Sequence, residues 1–142
     1  MSAYLWVALG GMLGSVARYW LSGIVAERYG ETFPWNTLFI NVSGSLLIGF
    51  LGALSGPDSR WIGSLSFGPW RFGPGEFRQL LMIGLCGGYT TFSSFSLQTL
   101  YLLRDREWLY AGGNAILSVF ACLIAVWLGF WLGSAFNTLK GT

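Results

Sequence analysis

The sequence predicts an all-α membrane protein with four transmembrane helices, the third of them broken. Three observations carry that expectation. Charge is scarce: the 142 residues are 54% hydrophobic and 10% charged, whereas soluble domains carry roughly 25% charged residues. Four long stretches are nearly free of charge, and each exceeds the about 20 apolar residues that a helix needs to cross a hydrocarbon core. The third stretch is interrupted by two glycines and five Ser or Thr residues in Gly87-Gly88-Tyr89-Thr90-Thr91-Phe92-Ser93-Ser94-Phe95-Ser96.

The first span is expected at residues 3–29, where Arg18 is the only charge before Glu27 and Arg28. Ser15-Val16-Ala17 looks like a cleavage site, but Met1 to Trp6 carries no Lys or Arg. The basic start of a signal peptide is therefore missing, and the span is read as retained. The second span, 32–55, is uncharged, and the third, 77–103, is uncharged from Gln79 onward. The fourth, 108–137, lies in an uncharged run from Trp108 to Leu139, long enough to tilt or emerge. Short connections after the first and third spans make sequential helices antiparallel neighbours. Gly56 to Gly75 holds every proline except Pro34 and is read as a loop, partly interfacial through Trp61, Phe67, Trp70 and Phe72. The chain reads as a single domain over 1–142.

Orientation is weakly encoded. One membrane face would carry Arg60, Arg71, Arg78 and Lys140, the other Arg28, Arg104 and Arg106, with Arg18 deeper on that side. Basic residues near span ends normally set orientation, so either one loop charge dominates or both orientations are made. Small residues recur four apart at Gly10/Gly14, Ser45/Gly49, Gly84/Gly88 and Gly129/Gly133. Such pairs let helices approach closely, within one chain or between chains.

Several functions are excluded. With no His and no Asp, Glu or Cys cluster, side-chain metal sites of the usual spacing are absent. No nucleophile–base pair or acid–base dyad is present, so no enzyme is expected. A net charge of +2 without a basic stripe gives no nucleic-acid partner. Cys86 and Cys122 lie in apolar stretches and read as small hydrophobes.

Polar groups inside a bilayer need partners or a water-filled path. Arg18 could snorkel, hold backbone carbonyls or draw anions into a vestibule. Asn41, in Asn36-Thr37-Leu38-Phe39-Ile40-Asn41-Val42-Ser43-Gly44, could join helices or turn its N–H donors toward an anion. The break in the third span frees backbone groups, which protein or a polar cavity must satisfy. Ion sites in transporters and channels are built at such breaks. Phe92 and Phe95 share a helical face, with ring edges that are electropositive. Tyr110, Asn114 and Ser118 recur every four residues as a polar stripe that could join the hydroxyls of Thr91, Ser93 and Ser96 in a track.

Gly10-Gly11-Met12-Leu13-Gly14-Ser15-Val16-Ala17-Arg18-Tyr19, then Thr37 to Gly44, then Gly87 to Phe95 lie in order across three spans. In these motifs the chain closely resembles the fluoride channels of the Fluc or CrcB family. The resemblance implies a passive channel that exports fluoride from the cytoplasm across the inner (plasma) membrane and so confers fluoride resistance. It implies an antiparallel, dual-topology homodimer with two pores, which would suit the weak charge bias. Phe92 and Phe95 match the phenylalanines lining the fluoride path, Asn41 the pore asparagine, and Tyr110, Asn114 and Ser118 the polar track. Gly87 and Thr90 match positions whose backbone carbonyls hold a structural sodium ion at the dimer centre. Arg18 matches the basic position of the first motif. Asn114 stands where a smaller hydroxyl residue is usual, and the 56–75 loop is longer than the family pattern.

Two other functions compete. A small multidrug-type exporter would need an acidic residue within a span to exchange proton for cation; Glu27, Glu31 and Glu76 fall at span ends. A non-transporting assembly subunit would suit the glycines but leaves the interrupted third span unexplained.

Overall fold

The structure, a computed structural model, describes residues 3–56, 66–67, 70–71 and 73–139. Arg60, Trp61, Phe72 and Lys140, named above, lie outside the described residues. The chain runs as α1 (Ala3–Tyr29), α2 (Trp35–Leu54), β1 (Ser66–Phe67), β2 (Trp70–Arg71), α3 (Pro74–Phe77), a π-helical stretch (Arg78–Cys86), α4 (Gly87–Tyr89), α5 (Phe92–Arg104) and α6 (Trp108–Leu139). Among the described residues the one strand pairing is antiparallel, Ser66↔Arg71 and Phe67↔Trp70.

Among the described residues, three stretches are both long and apolar enough to cross a membrane: Trp35–Leu54, Pro74–Arg104 taken across its interruption, and Trp108–Leu139. Helix α1 has the length, since 27 residues rise about 40 Å, but Arg18 and its neighbouring polar residues lower its hydropathy below the other three. The helix ends follow local chemistry. Gly30, at φ 75°, closes α1 in the left-handed conformation, its N–H donating to Ala26 O at 2.9 Å. Pro34 stands at the entry to α2, so Thr32 and Phe33 belong to the turn rather than to the helix. Glu76 caps α3 by accepting the Gly73 N–H at 3.1 Å, with Pro74 in the first turn.

Two close helix pairings organise the bundle. At the crossing of α2 with α6, a Cβ on Gly49 would strike the Val126 carbonyl oxygen, and one on Gly129 the Leu46 carbonyl oxygen. Without side chains there, the backbones touch, and van der Waals contact replaces the hydrophobic drive that lipid removes. Helix α1 lies on the π-helical stretch in the same way, through Gly10 and Gly84. These four-residue glycine patterns therefore serve packing inside one chain. Leu51, Phe77 and Cys86 form the buried apolar centre, with Ile48, Phe50, Leu81, Met82 and Leu85 against it. Phe120, Leu123, Trp127, Phe130 and Trp131 on α6 stay exposed, as suits a surface that lipid covers.

Candidate functional site

The site begins where the third helical stretch stops. Thr90 (φ −80°, ψ 159°) and Thr91 (φ −152°, ψ 112°) are extended between α4 and α5. Extended backbone in an apolar setting must find partners for its freed N–H and C=O groups. Asn41 supplies both for Thr91. Its Oδ1 accepts the Thr91 N–H at 2.8 Å, and its Nδ2 donates to the Thr91 carbonyl at 3.0 Å. A carboxamide offers a donor and an acceptor side by side without titrating, which suits it to this task. One Nδ2 hydrogen is committed by this pairing; Asn41 lines the groove described below.

Thr91 then starts α5. Its Oγ1 accepts the Ser94 N–H at 3.1 Å and donates to Ser94 Oγ at 3.0 Å, the usual way a Thr caps a helix. The first N–H groups of a helix lack partners within it and form the positive end of its dipole. The 13-residue α5 thus opens beside the break with an anion-attracting terminus.

Asn41, Thr90, Thr91, Phe92, Phe95 and Ser118 come together along one groove of about 460 Å³, whose other wall is apolar, with Ile48, Leu123 and Val126. Phe92 and Phe95 stack tilted at 46°, ring centroids 5.3 Å apart. Phe92 is 77% exposed, so its ring stands out from the chain instead of filling its core.

The remaining sequence-derived candidates sit elsewhere. Ser93 is exposed and shares a 3.1 Å hydroxyl bond with Thr91. Ser96, also exposed, donates back to the Phe92 carbonyl at 2.9 Å. Tyr110 packs edge-on against Phe33, centroids 6.1 Å apart. Asn114 is 1% exposed, between α5 and α6 and behind the groove. Of the Tyr110, Asn114 and Ser118 stripe, only Ser118 lines the groove.

Arg18 donates from Nη1 to the Thr90 carbonyl at 3.4 Å. Of the roles open to it from sequence, this is the holding of a backbone carbonyl. The Gly87 carbonyl has no donor among the described residues, because the Thr91 N–H that would close its turn goes to Asn41. A Cβ on Gly87 would meet nothing within 4 Å, so the position is open. Carbonyl oxygens at the negative end of a helical segment are hard donors that suit an alkali cation. The Gly87 carbonyl fits that chemistry; the Thr90 carbonyl is a second hard oxygen but already takes the Arg18 guanidinium.

Sequence reading missed Thr99, which accepts from Asn114 at 2.8 Å and donates to the Phe95 carbonyl at 2.8 Å. Its signal was a hydroxyl four residues after a groove phenylalanine. The Tyr89 Oη to Ser43 Oγ bond at 2.8 Å, which ties α4 to α2, was missed as well. No group of three or more Cys, Asp or Glu positioned for a metal exists among the described residues. None of the carboxylates of Glu27, Glu31, Glu76, Asp105 and Glu107 lines the groove.

Comparison with known proteins adds the family. Residues 5–130 match the sequence pattern of "CrcB-like protein, Camphor Resistance (CrcB)". The chain is 52% identical over 142 residues to a protein of Opitutus terrae, covering 100% of both chains. It is 53% identical over 139 residues to one of Methylocella silvestris, covering 97% of this chain and 98% of that one. A protein of Rhodospirillum rubrum is 56% identical over 126 residues, 89% of this chain and 90% of its own. All three relatives carry the name "Fluoride-specific ion channel FluC". A match of that length, over a membrane protein whose third helical stretch opens beside Asn41, places the chain in the CrcB-like family.

Proposed function

We propose that the protein is a passive fluoride-selective channel that exports fluoride from the cytoplasm across the inner membrane. The observation that carries this is the backbone opening at Thr90 and Thr91, held by Asn41 beside the paired rings of Phe92 and Phe95. The names of the relatives support the choice of ion.

Fluoride is small and strongly hydrated, so its path must replace water with donors. The opening N–H groups of α5, the second Nδ2 hydrogen of Asn41 and the ring edges of Phe92 and Phe95 supply them. Arg18, its guanidinium on the Thr90 carbonyl, does not line the groove. No charged side chain lines the groove, and conduction needs binding weak enough to release. Passive flow needs no titratable group to couple it, and the described carboxylates stand clear of the groove.

In this reading four helices cross the bilayer, α3 to α5 together forming the third, broken crossing. The functional unit is an antiparallel homodimer, in which a second copy covers the exposed Phe92 ring and the open Gly87 position. Sodium would be held by the Gly87 and Thr90 carbonyls of both copies, where its charge would balance the helix ends that meet there. Arg18 steadies the Thr90 carbonyl from within each copy.

Purified protein in liposomes is expected to release fluoride rapidly and chloride hardly at all. Equal chloride release, or release of neither ion, would end the proposal. A terminal tag is expected to label from both sides of the membrane; strictly one-sided labelling would remove the antiparallel dimer.

A further inference from the structure

A directed run of hydrogen bonds lies behind the groove. Ser118 Oγ donates to Asn114 Oδ1 at 3.3 Å, Asn114 Nδ2 donates to Thr99 Oγ1 at 2.8 Å, and Thr99 Oγ1 donates to the Phe95 carbonyl at 2.8 Å. Both ends, Ser118 and Phe95, line the groove; Asn114 does not, and it is 1% exposed. The polarity of the run is set by its last member. A threonine hydroxyl has one proton, and that proton is on the Phe95 carbonyl, so Thr99 turns lone pairs to Asn114 and fixes which side of the carboxamide faces it. The Asn114 carbonyl is thereby turned to Ser118 and takes that serine's only proton.

We infer that Asn114 is a positioning residue that sets how tightly the path holds an anion, by competing with it for the Ser118 proton. This rests on the fluoride-channel reading. An anion captured by Ser118 must draw the proton away from Asn114 Oδ1, whose one donor among the described residues is Ser118. A buried acceptor stripped of its donor is costly, so the carboxamide weakens anion binding at Ser118 and shortens the stay there. Asn114 acts without touching the ion.

The test measures fluoride flux against fluoride concentration in liposomes for the wild type, Asn114→Leu, Ser118→Ala and the double variant. Asn114→Leu keeps the bulk and removes the competing carbonyl. Half-saturation is expected to fall about fivefold or more, with a lower maximal flux, and the fall is expected to vanish in the double variant. Should Asn114→Leu not fold, Asn114→Ser decides in its place, since its short hydroxyl cannot bridge Ser118 and Thr99. An unchanged half-saturation in folded protein, or a fall that persists without the Ser118 hydroxyl, overturns the inference and leaves the channel reading intact. A wild type that passes no fluoride overturns both.

Discussion

Asn41 and Thr91 meet as two peptide groups do in a β-ladder, each giving one N–H and taking one, at 3.0 and 2.8 Å. They belong to different helical stretches, fifty positions apart in the chain. A single α2 side chain thus stands in for the turn of helix that the third stretch gives up. The break is held open, and the N-terminus of α5 stays beside the groove.

Asn41→Leu removes both partners at once. Two backbone groups are then left unpaired at about 1–3 kcal/mol each, and the protein is expected to lose most of its folded yield in detergent. Asn41→Asp keeps an acceptor for the Thr91 N–H but has no donor for the carbonyl and adds a negative charge to the groove. It is expected to fold and to lose fluoride flux at least about tenfold, the worth of roughly 1.4 kcal/mol. Asn41→Asp with wild-type flux in liposomes would show that the carboxamide does not shape the path.

Phe92 and Phe95 separate path from packing. Phe92 is 77% exposed in the single chain, so Phe92→Ile changes little that holds the chain itself together. Its folded yield in detergent is expected to stay near wild type, because most of the Phe92 surface makes no contact within the chain. Flux through Phe92→Ile or Phe95→Ile is nonetheless expected to fall sharply, since an aliphatic group has no electropositive edge to offer an anion. Unaltered flux in both variants would remove the rings from the path.

The helical class was readable because lipid imposes it: long apolar runs must be helices. The extended residues are Thr90 and Thr91, whereas Gly87 and Gly88 themselves are helical. The partners at the break were not readable. Asn41 offered two equal roles until Thr91 was seen opposite it. Arg18 gave no sign that its carbonyl was that of Thr90, seventy-two positions away. The spacing of Tyr110, Asn114 and Ser118 suggested a common line, yet four-residue steps on a 3.6-residue helix drift around the axis. Tyr110 reaches Phe33, Asn114 faces α5, and Ser118 alone reaches the groove. Thr99 went unnoticed because its importance comes from α6, which its own segment does not reveal.

The glycine contacts give a stability test with an internal control. A methyl group at Gly49 or Gly129 would meet backbone carbonyl oxygen, which cannot rotate aside. Gly49→Ala and Gly129→Ala are each expected to destabilise the protein by about 1–3 kcal/mol, the usual cost of overpacking. Gly23, on α1 with nothing within 4 Å of its missing Cβ, is the control. Gly23→Ala should hold or raise stability by up to about 1 kcal/mol, since Ala is the better helix former. Thermal unfolding in detergent that ranks the three alike would mean that the α2–α6 crossing tolerates separation.

The turn between α5 and α6 carries the last prediction. The Arg106 N–H donates to Leu103 O at 3.2 Å and the Glu107 N–H to Leu102 O at 2.8 Å, the paired bonds of a Schellman ending. Glycine normally occupies the left-handed position of this motif, but here it is Arg106, at φ 64°. Its Cβ is crowded against backbone in that conformation, whereas a glycine would not be. Arg106→Gly and Arg106→Ala remove the same charge from the end of α5, so their difference isolates the backbone. Gly is expected to exceed Ala by about 1 kcal/mol in stability, read as a higher thermal midpoint in the same detergent. Ala equal to Gly would mean that the turn relaxes out of the left-handed conformation, and that the short link between α5 and α6 does not depend on it.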